Sequence, residues 1–533
     1  MSSRPADDLS SHPSIDPASL LSPARRTADL ARLSESPEAD VVVIGGGVTG
    51  AGVALDAVSR GLSTVLIESR DLAFGTSRWS SKLVHGGLRY LASAAVGIAY
   101  ESAVERNALI RNIAPHLVHP LPQVVPLLDD VSFVDAAITR AGFLAGDALR
   151  IAARTPSSTL ARSGRIPAAE VAALAPTVKR EGLRGGLLNW DGQLNDDARL
   201  VVGIARTAAS LGATVLTHAR ADQVTGTSVT VTDELTERSF DVRARSVVNA
   251  TGVWSAHVDS SIALRPSRGT HLVMSQDSFQ GLRAGLTVAV PGHFGRYVFA
   301  LPQPDGRVYV GLTDEETSGE IPDVPQAQES EIDFLLDTVN LALGTPLTRD
   351  DILETFSGLR PLLDSDTGAT SDVSRKHAVL TRDDGLVTVV GGKLTTYRRM
   401  AEDAVDAALA TSGMSATPCR TRTLGLVGAP SMKDPAANDP AAALAKVAAP
   451  RRLVAKYGTE APAVLALADS DPTLAAPVAD GTSITGAELA FGVCAEGAVT
   501  VGDLLERRTR LSLTPLVADA ARPWAAHAVD TLA

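Results

Sequence analysis

The sequence is poor in several features that mark particular classes of protein. Its 533 residues include only two cysteines, Cys419 and Cys494, which lie far apart and show no metal-type spacing. This indicates a reducing compartment, with neither a disulfide framework nor a cysteine-based metal site. Aromatic residues make up only 4% of the chain. No uninterrupted apolar run reaches the ~18 residues that a spanning helix needs, so no membrane span is predicted.

Positive charge is also scarce. The chain has 49 Lys and Arg against 61 Asp and Glu, a net charge of −12 at pH 7. Nucleic acid is therefore not an expected partner, and a bound anion would have to be held by a local cluster of arginines. The length allows two or three domains with a large core, and a hydrophobic content of 45% is normal for a globular protein.

The most informative segment is a strand, a glycine turn, a helix and a second strand. Val41–Ile44 is a β-branched run suited to a buried strand, and Gly45–Gly50 follows it with the spacing G-x-G-x-x-G. A helix is predicted to run to about Arg60, followed by a strand at Thr64–Ile67 that ends in Glu68. The whole unit predicts a dinucleotide site.

Each part of this unit has a physical role in such a site. Gly45, Gly47 and Gly50 allow a tight turn and a close approach of the backbone to a pyrophosphate at the helix N-terminus. Glu68 can accept hydrogen bonds from ribose hydroxyls.

Two further strands run into glycines. Val242–Val248 leads into Asn249–Gly252, and Leu386–Val390 leads into Gly391 and Gly392, with a helix predicted from about Thr395. Nicotinamide and flavin enzymes share the first fingerprint. Three such elements favour one long cofactor threaded across the domain, which suits FAD better than NAD.

The pattern of strands and helices predicts an α/β fold with several parts. Residues 1–38, rich in Ser, Pro and Ala, are predicted to form a disordered N-terminal arm. Residues 39–424 are predicted to form a discontinuous FAD-binding Rossmann-like domain, with a β-sheet substrate domain inserted at about 121–190 and 262–345. Residues 425–533 are Ala- and Leu-rich at helical spacing and are predicted to form a helical C-terminal domain.

Several other motifs closely resemble those of FAD-dependent glycerol-3-phosphate dehydrogenases. The resemblance covers roughly residues 40–510, and the motifs stand in the family's order. The segments that carry it are Gly75–Ser77, Ser80–Leu91, Arg265–His271, Thr313–Asp314, Ser357–Leu362, Gly391–Arg398 and Leu504–Arg510.

The resemblance implies a set of binding residues. The positions implied to bind FAD are Gly45, Gly47, Gly50, Glu68, Thr76, Ser77, Ser81, Lys82, Gly252, Gly392, Leu394 and Thr395. Those implied to bind substrate are Arg89, Tyr90, Arg360, Arg375 and Lys393, and arginine suits a phosphate because it offers bidentate donors. Lys376 and His377 depart from the acid more usual after Arg375, so the alignment there is less secure.

The resemblance also implies the catalytic residues His271, Lys393 and Arg360. Oxidising a secondary alcohol requires removal of the hydroxyl proton, and a histidine is a natural base for this. His271 stands at the family's candidate position, and the alternative is a strand histidine satisfied by the backbone. His85, in the loop expected near the flavin, is a second candidate.

The implied function is oxidation of sn-glycerol 3-phosphate to dihydroxyacetone phosphate, with hydride transfer to FAD and electrons passed to a quinone. A glycerol-3-phosphate oxidase that uses oxygen and a non-catalytic flavin-binding protein are the alternatives. The oligomeric state stays open, with a homodimer possible.

A quinone is lipid-soluble, so we expect a cytoplasmic protein attached peripherally to the membrane surface. Arg507, Arg508 and Arg510 could contribute to this contact, as could Arg25 and Arg26 in the N-terminal arm. A solvated helix end and an intramolecular salt-bridge cluster are the alternatives for the first three.

Overall fold

We describe a computed structural model of the chain over residues 9–87, 95–293, 295–364, 377–431 and 439–533. Its strands are β1 Glu38–Ile44, β2 Thr64–Ile67, β3 Leu83–Val84, β4 Val118–Pro126, β5 Gly164–Ile166, β6 Gly186–Leu194, β7 Thr214–Leu216, β8 Ala219–Asp222, β9 Ser228–Asp233, β10 Arg238–Asn249, β11 Ser267–Ser275, β12 Gly285–Ala289, β13 Tyr297–Pro302, β14 Arg307–Gly311, β15 Glu315–Glu316, β16 Ile352–Arg360, β17 Ala378–Thr381 and β18 Val387–Val390. Its α-helices are α1 Pro23–Glu35, α2 Val48–Ser59, α3 Val96–Ala108, α4 Phe133–Ala152, α5 Ala168–Leu174, α6 Asp197–Ser210, α7 Ser255–Val258, α8 Glu329–Asn340, α9 Tyr397–Ser412, α10 Pro440–Leu444, α11 Arg451–Tyr457, α12 Ala461–Ser470, α13 Gly486–Cys494 and α14 Pro515–Leu532.

The first sheet has a parallel centre in the order β18, β10, β1, β2, β7. Its strands come from distant parts of the chain, because β18 follows β10 only after the whole second sheet has been formed. Helix α2 is almost entirely buried and packs against α6 and α9. Strands buried on both faces explain the unbroken apolar run Val41–Ile44.

The second sheet is mixed and contains β3 to β6 and β11 to β16. Most of its pairs are antiparallel, while β4 and β12 run parallel. Helix α8 covers one face, and a separate apolar core forms there around Leu272, Leu286 and Leu335. The predicted α/β fold, with a discontinuous cofactor domain, an inserted sheet and a helical C-terminal region, is therefore confirmed.

The prediction of a disordered N-terminal arm is wrong for residues 9–38. Helix α1 begins after Ser22, whose hydroxyl oxygen accepts a hydrogen bond from the Arg25 N–H at 3.2 Å. Arg26 donates to Asp233 at 2.6 Å, and Leu33 is buried. Distant partners hold this helix in place, so the polar composition of the segment gave no sign of it.

Three of the five arginines considered for membrane contact are buried within the protein, while Arg25 and Arg26 are partly exposed. The side chains of Arg507, Arg508 and Arg510 are all nearly inaccessible. Arg507 donates to Asp71 at 2.6 Å, and Arg508 donates to both oxygens of Asp71 at 2.8 Å. Arg507 and Arg508 form an ion-pair cluster with Asp71, while Arg510 donates to the backbone carbonyl oxygens of Glu506 and Arg78. The three guanidinium groups therefore cannot meet a lipid surface, and for Arg507 and Arg508 the salt-bridge alternative is correct.

Candidate active site

A cavity of about 1420 Å³ is lined by residues from both sheets. Its volume exceeds the ~300–1,000 Å³ of a typical ligand pocket, so it can hold a long ligand. One wall is made by the carboxyl ends of β1, β2, β10 and β18, where open α/β sheets bind ligands. The opposite wall comes from the second sheet, with His271 on β11 and Arg360 on β16.

The glycine turn after β1 is built for a close backbone approach. A Cβ atom on Gly50 would overlap the carbonyl oxygen of Gly45, so helix α2 can pass this turn only with glycine there. Gly45 itself has φ +107°, a conformation that favours glycine. Gly47 caps α2, and the backbone at this N-terminus faces the cavity. The predicted turn therefore has the shape that a pyrophosphate needs.

Glu68 lies where the fingerprint predicts an acid. Its Oε2 atom accepts a hydrogen bond from the Gly46 N–H at 2.5 Å, and its Oε1 atom accepts one from the Arg70 N–H at 2.8 Å. Burial raises the pKa of this carboxyl above its usual value, although both backbone donors oppose the shift. The carboxylate is thus fixed at the rim of the turn and lines the cavity.

The segment after β2 places three of its four predicted residues on the cavity wall: Thr76, Ser77 and Ser81. The Ser77 hydroxyl oxygen accepts a hydrogen bond from the Val48 N–H at 2.8 Å, which fixes it beside the N-terminus of α2. Lys82 differs from the others. Its ammonium is buried against Asp197 at 2.7 Å and points away from the cavity lining, so it cannot donate to a cofactor there.

The other two glycine elements complete the same wall. Gly252 and Gly392 both have positive φ, +60° and +71°, and both line the cavity. Leu394 and Thr395 follow on a single 3₁₀ turn that leads into α9. The Thr395 hydroxyl oxygen accepts a hydrogen bond from the His85 N–H at 3.2 Å, which joins this element to the loop after β3.

Two cations, Arg360 and Lys393, line the same cavity. The Arg360 guanidinium donates to Asp314 at 3.1 Å and to the Thr313 carbonyl oxygen at 3.2 Å. Lys393 donates to the hydroxyl oxygen of Ser102 on α3. The structure thus brings together two of the five predicted substrate residues, while Arg89, Tyr90 and Arg375 lie outside the described residues.

His271 lies on the cavity wall but is deeply buried, with a relative exposure of 2%. Its ring stacks on Phe356 with centroids 4.7 Å apart, and its Nε2 atom is 2.8 Å from the Ser81 hydroxyl oxygen. Its Nδ1 atom is buried and has no hydrogen-bond partner among the described residues. Desolvation, helped by Lys82 and Arg360, lowers the pKa of His271 to about 3. The imidazole is therefore neutral at physiological pH.

His85 has a different environment. Its side chain is 45% exposed on the cavity wall, and its Nδ1 atom is 3.5 Å from Asp191 Oδ2. Asp191 is buried and accepts hydrogen bonds from Arg106 at 2.6 Å and from the Gly86 N–H at 3.0 Å. Burial alone would raise the pKa of Asp191, but the Arg106 guanidinium brings it below its usual value.

Asp191 and Arg106 were not predicted from the sequence. The only local signal is an acid followed by a glycine, Asp191 and Gly192, just beyond the predicted sheet segment 121–190.

Family models match almost the whole chain. The model described as FAD dependent oxidoreductase matches residues 40–398, and the one described as the C-terminal domain of alpha-glycerophosphate oxidase matches residues 419–533. Glycerol-3-phosphate dehydrogenase 1 of Mycobacterium tuberculosis is 55% identical over 503 residues, covering 93% of this chain and 96% of the relative. The chain belongs to the FAD-dependent glycerol-3-phosphate dehydrogenase family.

Other members of the family are more distant. Glycerol-3-phosphate dehydrogenase 2 of M. tuberculosis is 38% identical, covering 93% of this chain and 85% of the relative. The solved glycerol-3-phosphate dehydrogenase of Bacillus halodurans, complexed with FAD, matches with a TM-score of 0.72 and 29% identity. The match covers 96% of this chain and 94% of the B. halodurans chain. The α-glycerophosphate oxidase of Mycoplasma pneumoniae shares the fold, with 18% identity and a TM-score of 0.53. The match covers 73% of this chain and 99% of the oxidase chain.

FAD is the cofactor of this family member, and the geometry fits it. The glycine turn is so tight that a Cβ on Gly50 would overlap Gly45, and it leads directly into the N-terminus of α2. Together with the carboxylate of Glu68, this turn forms a binding site for a pyrophosphate and a ribose. Gly252, Gly392, Leu394 and Thr395 extend the same wall toward His271 and Arg360. The predicted cofactor is therefore confirmed. The assignment of individual residues to it remains a proposal.

Proposed function

We propose that this protein oxidises sn-glycerol 3-phosphate to dihydroxyacetone phosphate and passes the electrons through FAD to a quinone. One observation carries the proposal. Arg360, Lys393 and two imidazoles face the same cavity as the three glycine elements of the cofactor site. The names and degree of identity of the relatives support the same substrate.

Different residues would bind the phosphate of such a substrate and accept its hydroxyl proton. Arg360 and Lys393 offer charge-assisted donors to a phosphate, and Asp314 holds the Arg360 guanidinium in position. Arg89, Tyr90 and Arg375 remain proposed substrate residues from the family resemblance. FAD, when bound, supplies a two-electron acceptor for the hydride from the substrate C–H bond. A base in the chain must accept the hydroxyl proton as the C=O bond forms.

Two histidines are candidates for this base, and Lys393 and Arg360 complete the proposed catalytic set. His271 keeps the role that the family position implies, but a pKa of about 3 makes it a weak base near neutral pH. His85 is open to the cavity, and a carboxylate on its Nδ1 side leaves Nε2 available, as in oriented catalytic imidazoles. The second arrangement suits proton abstraction better.

The proposed quinone acceptor requires contact with a membrane. No helix in the described parts of the chain is both long and apolar enough to cross a bilayer. Because a quinone dissolves in lipid, we propose that the protein attaches peripherally to the cytoplasmic face of the membrane.

Anaerobic spectroscopy tests the substrate and the acceptor in turn. Glycerol 3-phosphate should bleach the flavin of the holoprotein, while unphosphorylated glycerol should do so poorly. The reduced protein should then be reoxidised much faster by a quinone analogue than by oxygen in stopped flow. Flavin that stays yellow would indicate a non-catalytic binder, and rapid reoxidation by oxygen would indicate an oxidase.

The base can be assigned by comparing two variants. Loss of the general base should slow flavin reduction by roughly 10²–10⁴-fold with FAD still bound. We expect this loss for His85→Ala and a smaller one for His271→Ala. Because His271 protonates only near pH 3, its own titration should leave the reduction rate level between pH 8 and pH 5. The opposite ranking of the two variants would return the role to His271.

A further inference from the structure

Helix α4, Phe133–Ala152, exposes its apolar side chains. The exposed residues on one face are Phe133, Val134, Ala137, Ile138, Ala141, Leu144, Ala148, Ile151 and Ala152. Their spacing follows the helical repeat, so they form one continuous stripe about 30 Å long. Phe133 is 81% exposed, Leu144 52% and Ile151 63%. We call this surface the α4 stripe.

Three charged side chains of the same helix, Arg140, Asp147 and Arg150, bond to the rest of the protein, while Asp135 in its first turn is exposed. Arg140 donates to the Ser163 hydroxyl oxygen at 2.6 Å, and Asp147 accepts from that hydroxyl at 2.7 Å. Arg150 is buried and donates to the Thr155 carbonyl oxygen at 2.8 Å. A surface helix of a protein surrounded by water has the reverse arrangement. The inward hydrogen bonds fix the rotation of α4, so the apolar stripe cannot turn inward.

The α4 stripe reaches the cavity. Ile138 and Ala141 belong to the stripe and also line the cavity, as do their neighbours Gly142 and Phe143. A molecule held against the stripe therefore has an apolar route along one helix to the cavity.

A second copy of the chain is a poor occupant for this face. The stripe measures about 30 Å by about 10 Å, so it offers on the order of 300 Å². A stable interface buries about 800 Å² per partner. A bilayer fits better, because an interfacial helix only needs to bury its apolar face to a depth of about 5–10 Å.

We propose that α4 is the element that docks this protein on a lipid bilayer, with its stripe in the boundary between headgroups and acyl chains. The proposal deepens the proposed function and rests on it, because it places the mouth of the active site at the surface where a quinone is dissolved.

Charge makes a small contribution to this docking. The exposed arginines near α4 are Arg154, Arg162 and Arg165, and the Arg184 guanidinium lies 4.8 Å from the Phe133 ring centroid. The exposed acids near its N-terminal end are Asp129, Asp130 and Asp135. The two sets of charges nearly cancel, so burial of the stripe provides the attraction. Neutral lipid should therefore suffice, and detergent should release the protein more effectively than salt.

Cosedimentation of the FAD-loaded full chain with neutral phosphatidylcholine vesicles tests this surface. The triple variant Phe133→Glu, Leu144→Glu, Ile151→Glu should lower the vesicle partition coefficient by at least about 100-fold. All three side chains are exposed, so flavin content and thermal unfolding should stay as in the wild type. Leu516→Glu on α14, 86% exposed in the wild type, is the matched control and should bind vesicles normally.

A second measurement separates this proposal from the proposed function. With glycerol 3-phosphate as donor, the triple variant should lose turnover with a long-chain quinone held in the vesicles and keep turnover with a water-soluble dye. If vesicle binding falls while turnover with the membrane-held quinone does not, the docking surface stands and the quinone route fails. The docking surface would be overturned if the wild-type protein did not bind neutral vesicles, or if the triple variant bound them normally. The docking surface would also be overturned if the triple substitution converted a dimer to a monomer and did nothing else.

Discussion

At the scale of single residues, Gly50 shows how strictly the cofactor site limits the sequence. It is packed against the carbonyl oxygen of Gly45 with no room for a side chain. Such constraints act through the local backbone, which is why the glycine spacing predicted the turn correctly. The surroundings of His271 and His85 depend on residues more than 100 positions away, so the sequence could not rank them.

Replacing Gly50 should empty the cofactor site. Gly50→Val would push α2 away from the turn, because the new Cβ overlaps Gly45. We expect the purified variant to be colourless, as measured by flavin absorbance per protein. Gly164→Ala at the start of β5 is a control that should stay yellow, because its φ is not positive and an added Cβ would meet no atom of the described residues within 4 Å. A fully yellow Gly50→Val protein would disprove the placement of the pyrophosphate.

Replacing Arg360 should weaken the response to phosphate specifically. A charge-assisted hydrogen bond contributes about 1.5–3 kcal/mol, so Arg360→Ala should raise the KM for glycerol 3-phosphate more than tenfold. The KM for glycerol should change little. Arg349→Ala, which removes an exposed arginine paired with Glu329 and Asp333, should leave both constants unchanged. An equal loss with both substrates would make Arg360 a structural residue.

At the scale of elements, the predicted strands and helices of the first βαβ unit agree with the structure almost to the residue. Val41–Ile44 lies inside β1, and Thr64–Ile67 is β2. Their apolar pattern reflects burial on both faces, which sequence records directly. The position of Asp191 beside His85 depends instead on the register of β3 against β6, where Val84 pairs with Gly192. That register is set by contacts between strands more than 100 residues apart, so the local sequence does not record it.

Helix α1 also depends on tertiary contacts that the local sequence does not record, and its contribution to stability can be measured. Arg26 is 14% exposed and donates to Asp233, which is 4% exposed, so the pair is held away from water. Arg26→Ala should lower the free energy of unfolding by about 1–3 kcal/mol, measured by denaturant titration. Thr27→Ala, where the hydroxyl donates to the Pro23 carbonyl oxygen of its own helix, should change it far less. Equal values for the two variants would mean that α1 adds little to stability.

At the scale of the whole molecule, buried ion pairs connect the C-terminal helices to the cofactor domain. Arg199 on α6 pairs with Glu496, and Arg206 pairs with Glu460 at 2.6 Å. Asp71, just after β2, holds Arg507 and Arg508. The separate family models for the two parts therefore describe regions that share buried charges.

Removing the charge of Asp71 should destabilise the entire protein. Asp71→Asn leaves the buried guanidinium of Arg508 without its carboxylate, while Arg507 keeps Asp503 and Glu506. Breaking a buried pair in this way typically costs about 3–5 kcal/mol. Loss of near-ultraviolet circular dichroism and of bound flavin should occur at the same, lower denaturant concentration. Asp519→Asn, which removes an exposed pair with Arg522, should cost under about 1 kcal/mol. A lower midpoint for the C-terminal helices alone would show that the two parts unfold independently.

The Asp71 cluster also bears on how the protein is made. Asp71 and Arg507 are 436 residues apart, and Ala73, two positions after Asp71, donates its N–H to the carbonyl oxygen of Gly46 in the glycine turn. At ~5–20 residues per second, the ribosome needs roughly 20–90 s to deliver the arginines after it has made their partner. During that interval the loop beside the turn lacks its anchors. Flavin should therefore enter only after synthesis is complete, and nascent chains stalled before residue 500 should carry none.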